Sequence, residues 1–328
     1  MMILFDLLPY LHDCITYIYP LTLNQPNTNL QMINITGAEV LYPSGCILGE
    51  SPIWHNERQS CFWVDIEGRM IYEYSLLGKT CTQYQLANRV SLLVKGNAAD
   101  ELILGLQGGV GRYNLTAKTL SMITTELNAD WQHYRCNDGG CDNIGRFWIS
   151  TTELSHEEYA GALYCVDRDA KVSEKLNKLS ISNGMVWTAD NKRLYHTDSV
   201  TGAIKSYFYD EHTADLEFER IAVQIPSEKG VPDGIALDAE GKLWIALWGG
   251  YGVGRFDVDS GEMIAFIDVP APNVSSCAFV GAALDRMIIT TAKKGMTEND
   301  LKEFPESGHI FIVEPGVTGA SVFNCMLQ

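Results

Sequence analysis

Six short segments of the chain share one pattern: a polar residue, then small or turn-forming residues, then an apolar run. They are Gly49-Glu-Ser-Pro-Ile-Trp54, Arg89-Val-Ser-Leu-Leu-Val94, Cys136-Asn-Asp-Gly139, Ser182-Asn-Gly-Met-Val-Trp187, Pro232-Asp-Gly-Ile-Ala-Leu237 and Ser275-Ser-Cys-Ala-Phe279. Their polar members, Glu50, Ser91, Asn137, Asn183, Asp233 and Ser276, recur every roughly 40–50 residues, the period of a propeller blade. A unit of that size cannot bury both of its faces alone and must stack on its neighbours. Between the openings lie strand-like runs at 60–66, 101–106, 146–151, 193–198 and 242–247. Each is β-branched or aromatic, and most follow a turn such as Asn143-Ile-Gly145, Asp190-Asn-Lys192 or Ala239-Glu-Gly241. From Met32 onward no long stretch has a 3.6-residue apolar period. The expectation is an all-β chain over residues 32–328, folded as a six-bladed β-propeller of four-stranded sheets.

The last unit offers only three strands, at 277–279, 286–291 and 309–314. The run 35–42, ahead of the first blade, supplies the fourth. An N-terminal strand closing the last blade removes an exposed sheet edge. Residues 1–31 stand apart. Met1 to Leu23 is apolar and aromatic, but Asp6, His12, Asp13, Pro9 and Pro20 interrupt it and it lacks a basic start. No unbroken apolar run reaches the roughly 20 residues of a membrane span. The segment reads as a poorly structured extension, or as sequence ahead of a natural start at Met32; a signal peptide is the weaker alternative.

A net charge of −17, with no Lys/Arg cluster breaking the acidic background, argues against a nucleic-acid partner. Nine cysteines form no CxxC pair, and their odd number in a long chain favours free thiols in a reducing compartment, the cytoplasm. Seven scattered histidines include no HExxH and no close pair, so a His/Cys zinc site is not expected.

In a propeller the first strand of every blade lines the central channel, and all of these strands run in the same direction. Residues at equivalent positions therefore converge. Taken singly, Asn183-Gly184 or Asp233-Gly234 reads as a turn and Glu50 as a surface carboxylate. Taken together they open equivalent units and precede apolar runs that must be buried. Two carboxylates near one axis repel each other and lose solvation unless a cation lies between them. One divalent metal ion is expected, held by Glu50, Asn137, Asn183 and Asp233. The all-oxygen donors suit Ca²⁺, Mg²⁺ or Mn²⁺, with Zn²⁺ and Fe²⁺ left open.

These motifs resemble the SMP-30/gluconolactonase/luciferin-regenerating-enzyme family, which includes regucalcin. The resemblance runs from about Met32 to the C-terminus. It is carried by Gly49-Glu-Ser-Pro-Ile-Trp54 with Trp63-Val-Asp-Ile66, and by Arg135-Cys-Asn-Asp-Gly139 with Gly145-Arg-Phe-Trp148. Further on come Ile181-Ser-Asn-Gly184, Leu194-Tyr-His-Thr-Asp-Ser199, Pro232-Asp-Gly234 with Asp238-Ala-Glu-Gly-Lys-Leu-Trp244, Ser276-Cys-Ala-Phe279 and Thr290-Thr-Ala292. The resemblance implies a six-bladed propeller with Glu50, Asn183 and Asp233 as metal ligands. It implies substrate contacts from Arg135 and Asn137, with Asn137 shared between metal and substrate, and Glu153 as a further substrate residue although its spacing is off by about one. Cys136 departs from the usual aromatic residue, and residues 139–144 depart from the common Gly-Lys-x-Asp-x-x-Gly form.

The implied reaction is metal-dependent hydrolysis of a sugar lactone, such as gluconolactone, to its aldonic acid. Asp233 would hold or deprotonate the attacking water, and Arg135 and Asn137 would bind the sugar. Two rivals remain: a phosphotriesterase-like hydrolase, and a calcium-binding regulatory propeller without chemistry. Trp248-Gly-Gly-Tyr-Gly252 reads as a glycine-rich hairpin, with the channel mouth as its alternative place.

Overall fold

The computed structural model describes residues 32–155 and 157–328; the expected N-terminal extension at 1–31 lies outside the described residues. Twenty-five strands, one six-residue α-helix (Glu298–Glu303) and two short 3₁₀ turns make up the secondary structure of this part. The strands form six sheets. Blade 1 is Gly49–His55, Ser60–Asp65, Met70–Ser75 and Thr80–Gln85, paired antiparallel in that order. Blades 2, 3 and 4 repeat the plan, with inner strands Val90–Lys95, Tyr134–Cys141 and Ser182–Trp187. Val231–Leu237 and Val274–Val280 are the inner strands of blades 5 and 6. The six-bladed all-β reading therefore holds.

Both faces of the second strands of the blades are buried, and the period-2 alternation of a strand divides its side chains between two cores. In Ser60–Asp65, Phe62 and Val64 pack toward blade 2, whereas Cys61 and Trp63 pack toward blade 6. In Leu243–Trp248, Leu243, Ile245 and Leu247 face blade 4, and Trp244 and Ala246 face blade 6. One apolar core fills each of the six blade interfaces. This is why the second strands read as unbroken apolar runs.

The closure follows the expected plan with one correction. Residues 35–42 do not form a single strand. Glu39–Tyr42 pairs antiparallel with Ile310–Val313 and completes blade 6. Ile33–Ile35 instead pairs parallel with Met263–Asp268, as a fifth strand on blade 5. Gly37, at φ 100°, lets the chain turn from one blade to the next.

Buried aspartates knit the turns between inner and second strands. Asp142 is fully buried and accepts from Arg146 Nε (2.6 Å), Trp148 Nε1 (2.8 Å) and the Tyr209 hydroxyl (2.9 Å). Asp238 likewise accepts from Trp244 Nε1 at 3.0 Å and Arg255 Nε at 2.8 Å. The Asp-to-Trp spacing of six residues is thus a turn lock, and residues 139–144 keep it despite their departure from the common form. Asp142→Ala leaves the Arg146 charge buried without its partner and is expected to cost about 3–5 kcal/mol, read from urea denaturation. Wild-type stability in that variant would refute the lock.

Among the described residues, eight cysteines are free and no helix is long and apolar enough to cross a membrane.

Candidate active site

All six inner strands break register with their neighbours at the same level of the channel. The shifts lie between Glu50 and Ile53, Val90 and Leu92, Cys136 and Gly139, Ser182 and Met185, Pro232 and Ile235, and Val274 and Ser276. A bulge re-aims side chains that a regular pleat would send to alternate faces. Here the skipped residues include Asn137, Asn183 and Asp233, with Glu50 one step ahead of its own bulge. Asn183-Gly184 and Asp233-Gly234 are therefore bulges within strands, not turns. Glycine is needed there because the inner strands nearly touch: a Cβ on Gly184 would stand 2.5 Å from the Ile235 amide nitrogen.

The bulges also stitch neighbouring blades together. The Ser51 hydroxyl accepts from Leu93 N at 2.9 Å, Ser91 Oγ donates to Cys136 O at 2.6 Å, and Ser275 Oγ donates to Gly49 O at 2.5 Å. Asn137 Nδ2 donates to Ser182 O at 2.6 Å and to Asn183 Oδ1 at 3.2 Å. Asn183 Nδ2 donates to Ser199 Oγ at 2.9 Å, and Ser199 Oγ donates to Pro232 O at 2.7 Å. Ser91 is thus engaged as a blade clamp, which the sequence pattern alone did not separate from a ligand.

Arg135, Asn137, Asn183, Glu50 and Asp233 are all buried in this zone. Arg135 donates through Nη1 to Asn137 Oδ1, to Cys136 O at 2.9 Å and to Ser91 Oγ at 3.4 Å. No described residue takes its other guanidinium N–H groups. Glu50 Oε2 accepts only from Ser51 N, at 3.0 Å, and Ser51 is held at φ 50° in the left-handed region. That conformation costs a non-glycine residue about 1 kcal/mol, offset by the Ser51–Leu93 clamp. Glu153 lies elsewhere on the rim of blade 3. Its carboxylate accepts from Ser155 N at 2.7 Å and Ser155 Oγ at 2.6 Å, which places it in the loop after its strand.

The structure adds a third carboxylate that the sequence reading left unassigned. Asp138 shares the bulge with Asn137, and its Oδ1 accepts from Gly139 N at 2.6 Å. Its place directly after Asn137, in the same unit opening, was the available signal. Burial pushes the Asp138 carboxyl up to about 6. Burial, followed by the nearby Asp138 charge, pushes Glu50 up to about 8. Asp233 is raised well above the carboxylate range by burial and then by Glu50 and Asp138, with Arg135 opposing. Asp233 Oδ1 is buried and has no hydrogen-bond partner.

Glu50 and Asp233, opposed by Arg135 and with Asp138 close by, leave the site short of positive charge, and Asp233 Oδ1 is orphaned. No group of three or more His, Cys, Asp or Glu residues suited to a metal ion is found among the described residues. The set here is instead two carboxylates with two amide side chains, and its oxygen-only chemistry fits a hard divalent cation. Below this level, away from Arg135, a cavity of about 450 Å³ continues down the channel past Asp138, Met185 and Trp187. Residues 320–323 of the C-terminal tail line its far end.

A neighbouring titration is structural. His196 is fully buried, with Nε2 2.7 Å from Ser182 Oγ, and burial lowers its pKa to about 3. Below pH 6.5 the unfolded imidazole gains a proton that the native one refuses. Stability should therefore fall as pH drops from about 6.5 toward 3, by roughly 2 kcal/mol between pH 6.5 and 5. Urea denaturation at the two pH values measures this, and His196→Asn should flatten the slope.

A family model described as "SMP-30/Gluconolactonase/LRE-like region" matches residues 48–293. The Bacillus subtilis (strain 168) protein named "Putative sugar lactone lactonase YvrE" is 32% identical over 265 residues, covering 81% of this chain and 90% of its own. Regucalcin of Oryctolagus cuniculus is 30% identical over 300 residues, covering 87% and 97%. Among solved structures, a calcium-binding protein, regucalcin, from Agrobacterium tumefaciens superposes with a TM-score of 0.83 at 26% identity, covering 90% of this chain and 99% of its own. A luciferin-regenerating enzyme shares the fold, with a TM-score of 0.81 at 24% identity over 89% and 100% of the two chains. With its six bulged inner strands and the motifs that build them, the chain belongs to the SMP-30/gluconolactonase/LRE-like family.

Proposed function

We propose that this protein hydrolyses a sugar lactone to its aldonic acid at one divalent cation, held by Glu50, Asn183 and Asp233 with Asn137 shared between cation and substrate. The observation that carries this reading is the group of buried, mutually repelling carboxylates with the unpartnered Asp233 Oδ1. Family membership and the name of the B. subtilis relative support the lactone as substrate class. When bound, the cation supplies Lewis-acid polarisation of the carbonyl and stabilisation of oxyanion charge.

The chain's own residues do the rest. Asp233 Oδ1, free of other hydrogen bonds, accepts the proton of the attacking water. The water oxygen bonds to the carbonyl carbon, the acyl–oxygen bond breaks, and the ring oxygen takes the proton held on Asp233 and leaves as a hydroxyl. Arg135, steadied by Asn137 and Cys136 O, turns its unpaired N–H groups to the sugar oxygens. The eight cysteines among the described residues, all free, support a reducing, cytoplasmic site of action.

A pH-indicator assay of acid release from a panel of aldonolactones tests the proposal, with chelator and after readdition of Ca²⁺, Mg²⁺, Mn²⁺ or Zn²⁺. Release should stop on chelation and return with a divalent ion. Release that survives chelation would refute the cation's role. Metal binding without turnover of any lactone would leave a calcium-binding propeller, and faster organophosphate turnover a phosphotriesterase.

A further inference from the structure

The mouth where the inner strands begin carries a group of cations that the proposed reaction does not use. Glu67, in the turn between Ser60–Asp65 and Met70–Ser75, accepts from Arg89 Nε at 2.8 Å and from Lys294 Nζ at 3.0 Å. Arg89 stands just ahead of the inner strand of blade 2, and Lys294 just after the second strand of blade 6. Three blades thus meet over one carboxylate. Arg89 Nη1 also donates to Gln107 Oε1 at 3.0 Å, and Asn273 Nδ2 donates to Lys294 O at 3.2 Å, so both cations are fixed in place. They remain open to a ligand: the side chains of Arg89 and Lys294 keep 26% and 38% of their exposure. Arg135 lies beneath them, near enough to feel the charges of Glu67 and Arg89.

Arg89 and Lys294 against Glu67 leave a charge of +1 on this side of the mouth, in a chain whose net charge is −17. The rim of blade 3 is acidic, with Glu157 and Glu158 exposed beside Glu153. A field with this asymmetry attracts an anion to one side of a cleft and repels it from the other. Arg89 and Lys294 each have N–H groups beyond those given to Glu67, as an anionic oxygen requires.

We propose that Arg89 and Lys294 select a lactone that is itself anionic, with a carboxylate or phosphate on the sugar carbon remote from the lactone carbonyl. This rests on the lactonase reading: the carbonyl lies at the Glu50–Asp233 level and the anionic end reaches the rim over blade 1. A neutral lactone leaves that end of the site without its ion pair.

The test compares kcat/KM of the metal-loaded full chain for glucono-1,5-lactone, its 6-phosphate and glucaro-1,5-lactone, whose C6 carboxylate stays free, each corrected for spontaneous hydrolysis. At least one anionic lactone should exceed the neutral one by about tenfold, and that advantage should shrink as salt rises from 20 to 300 mM. The phosphate and carboxylate arms show which anion is taken. Arg89→Gln and Lys294→Gln should each lower the anionic-to-neutral ratio about tenfold, with Arg89→Lys recovering part of it; melting curves confirm that the variants fold. Equal kcat/KM for neutral and anionic lactones overturns this inference and leaves the lactonase reading standing. So does a ratio unmoved by the variants, which would make the rim a blade clamp only. No turnover of any lactone overturns both.

Discussion

Asp233→Ala and Glu50→Ala should each reduce lactone hydrolysis by about 10³-fold or more, and each should melt higher than wild type in metal-free buffer. The two effects share one cause. Without a cation, Glu50 and Asp233 are buried carboxylates, each raised in pKa by burial and by the Asp138 charge, and Asp233 Oδ1 has lost water without gaining a partner. Removing one carboxylate relieves that repulsion in the empty protein and, at the proposed cation site, takes away a ligand. Wild type at a cation concentration 100 times its Kd should gain about 2.7 kcal/mol, a rise in Tm on the order of 5 °C. The alanine variants should gain little. Calorimetric melting with and without cation, beside acid release, gives both readouts. Wild-type metal response and wild-type rates in both variants would refute the site.

Deletion of residues 32–42 should prevent cooperative folding. It removes Glu39–Tyr42, the outer strand of blade 6, and leaves Ile310–Val313 as a naked edge. It also removes Tyr42, whose ring lies 5.9 Å from Trp63 and 5.8 Å from Tyr74, and Val40, which packs into the core between blades 5 and 6. The strand joins the two ends of the propeller, so its loss opens the ring between blades 6 and 1. Tyr42→Ala, which keeps the strand, should cost about 3 kcal/mol. A soluble truncation with a single sharp melting transition would refute the closure.

Much of this was legible along the chain. The spacing of the six polar openings determined the blade count, because each blade needs the same length of chain to cross the wheel and return. The alternation of Phe62 and Val64 with Cys61 and Trp63 was legible too, as an unbroken apolar run; which core each residue enters was not. Residues 35–42 read as one strand because Ile35-Thr36 and Val40-Leu41-Tyr42 are strand-forming and only three residues separate them. Gly37 divides them, since its φ of 100° sends the chain from blade 5 to blade 6.

At the channel, residue type and spacing alone brought Glu50, Asn137, Asn183 and Asp233 to one level. Three further decisions belong to the tertiary structure. The bulges decide which side chains face the axis, and they make Ser91 a clamp between blades. They carry Asp138 beside Asn137 into the channel, where a regular pleat would have sent it to the opposite face. And only the packed wheel sets Glu67, Arg89 and Lys294 together, although more than 200 residues separate Lys294 from Glu67. The physical reason is the same in each case. Periodicity along a chain records how each blade is built, whereas burial, register shifts and the fields of nearby charges arise only when six blades meet around one axis.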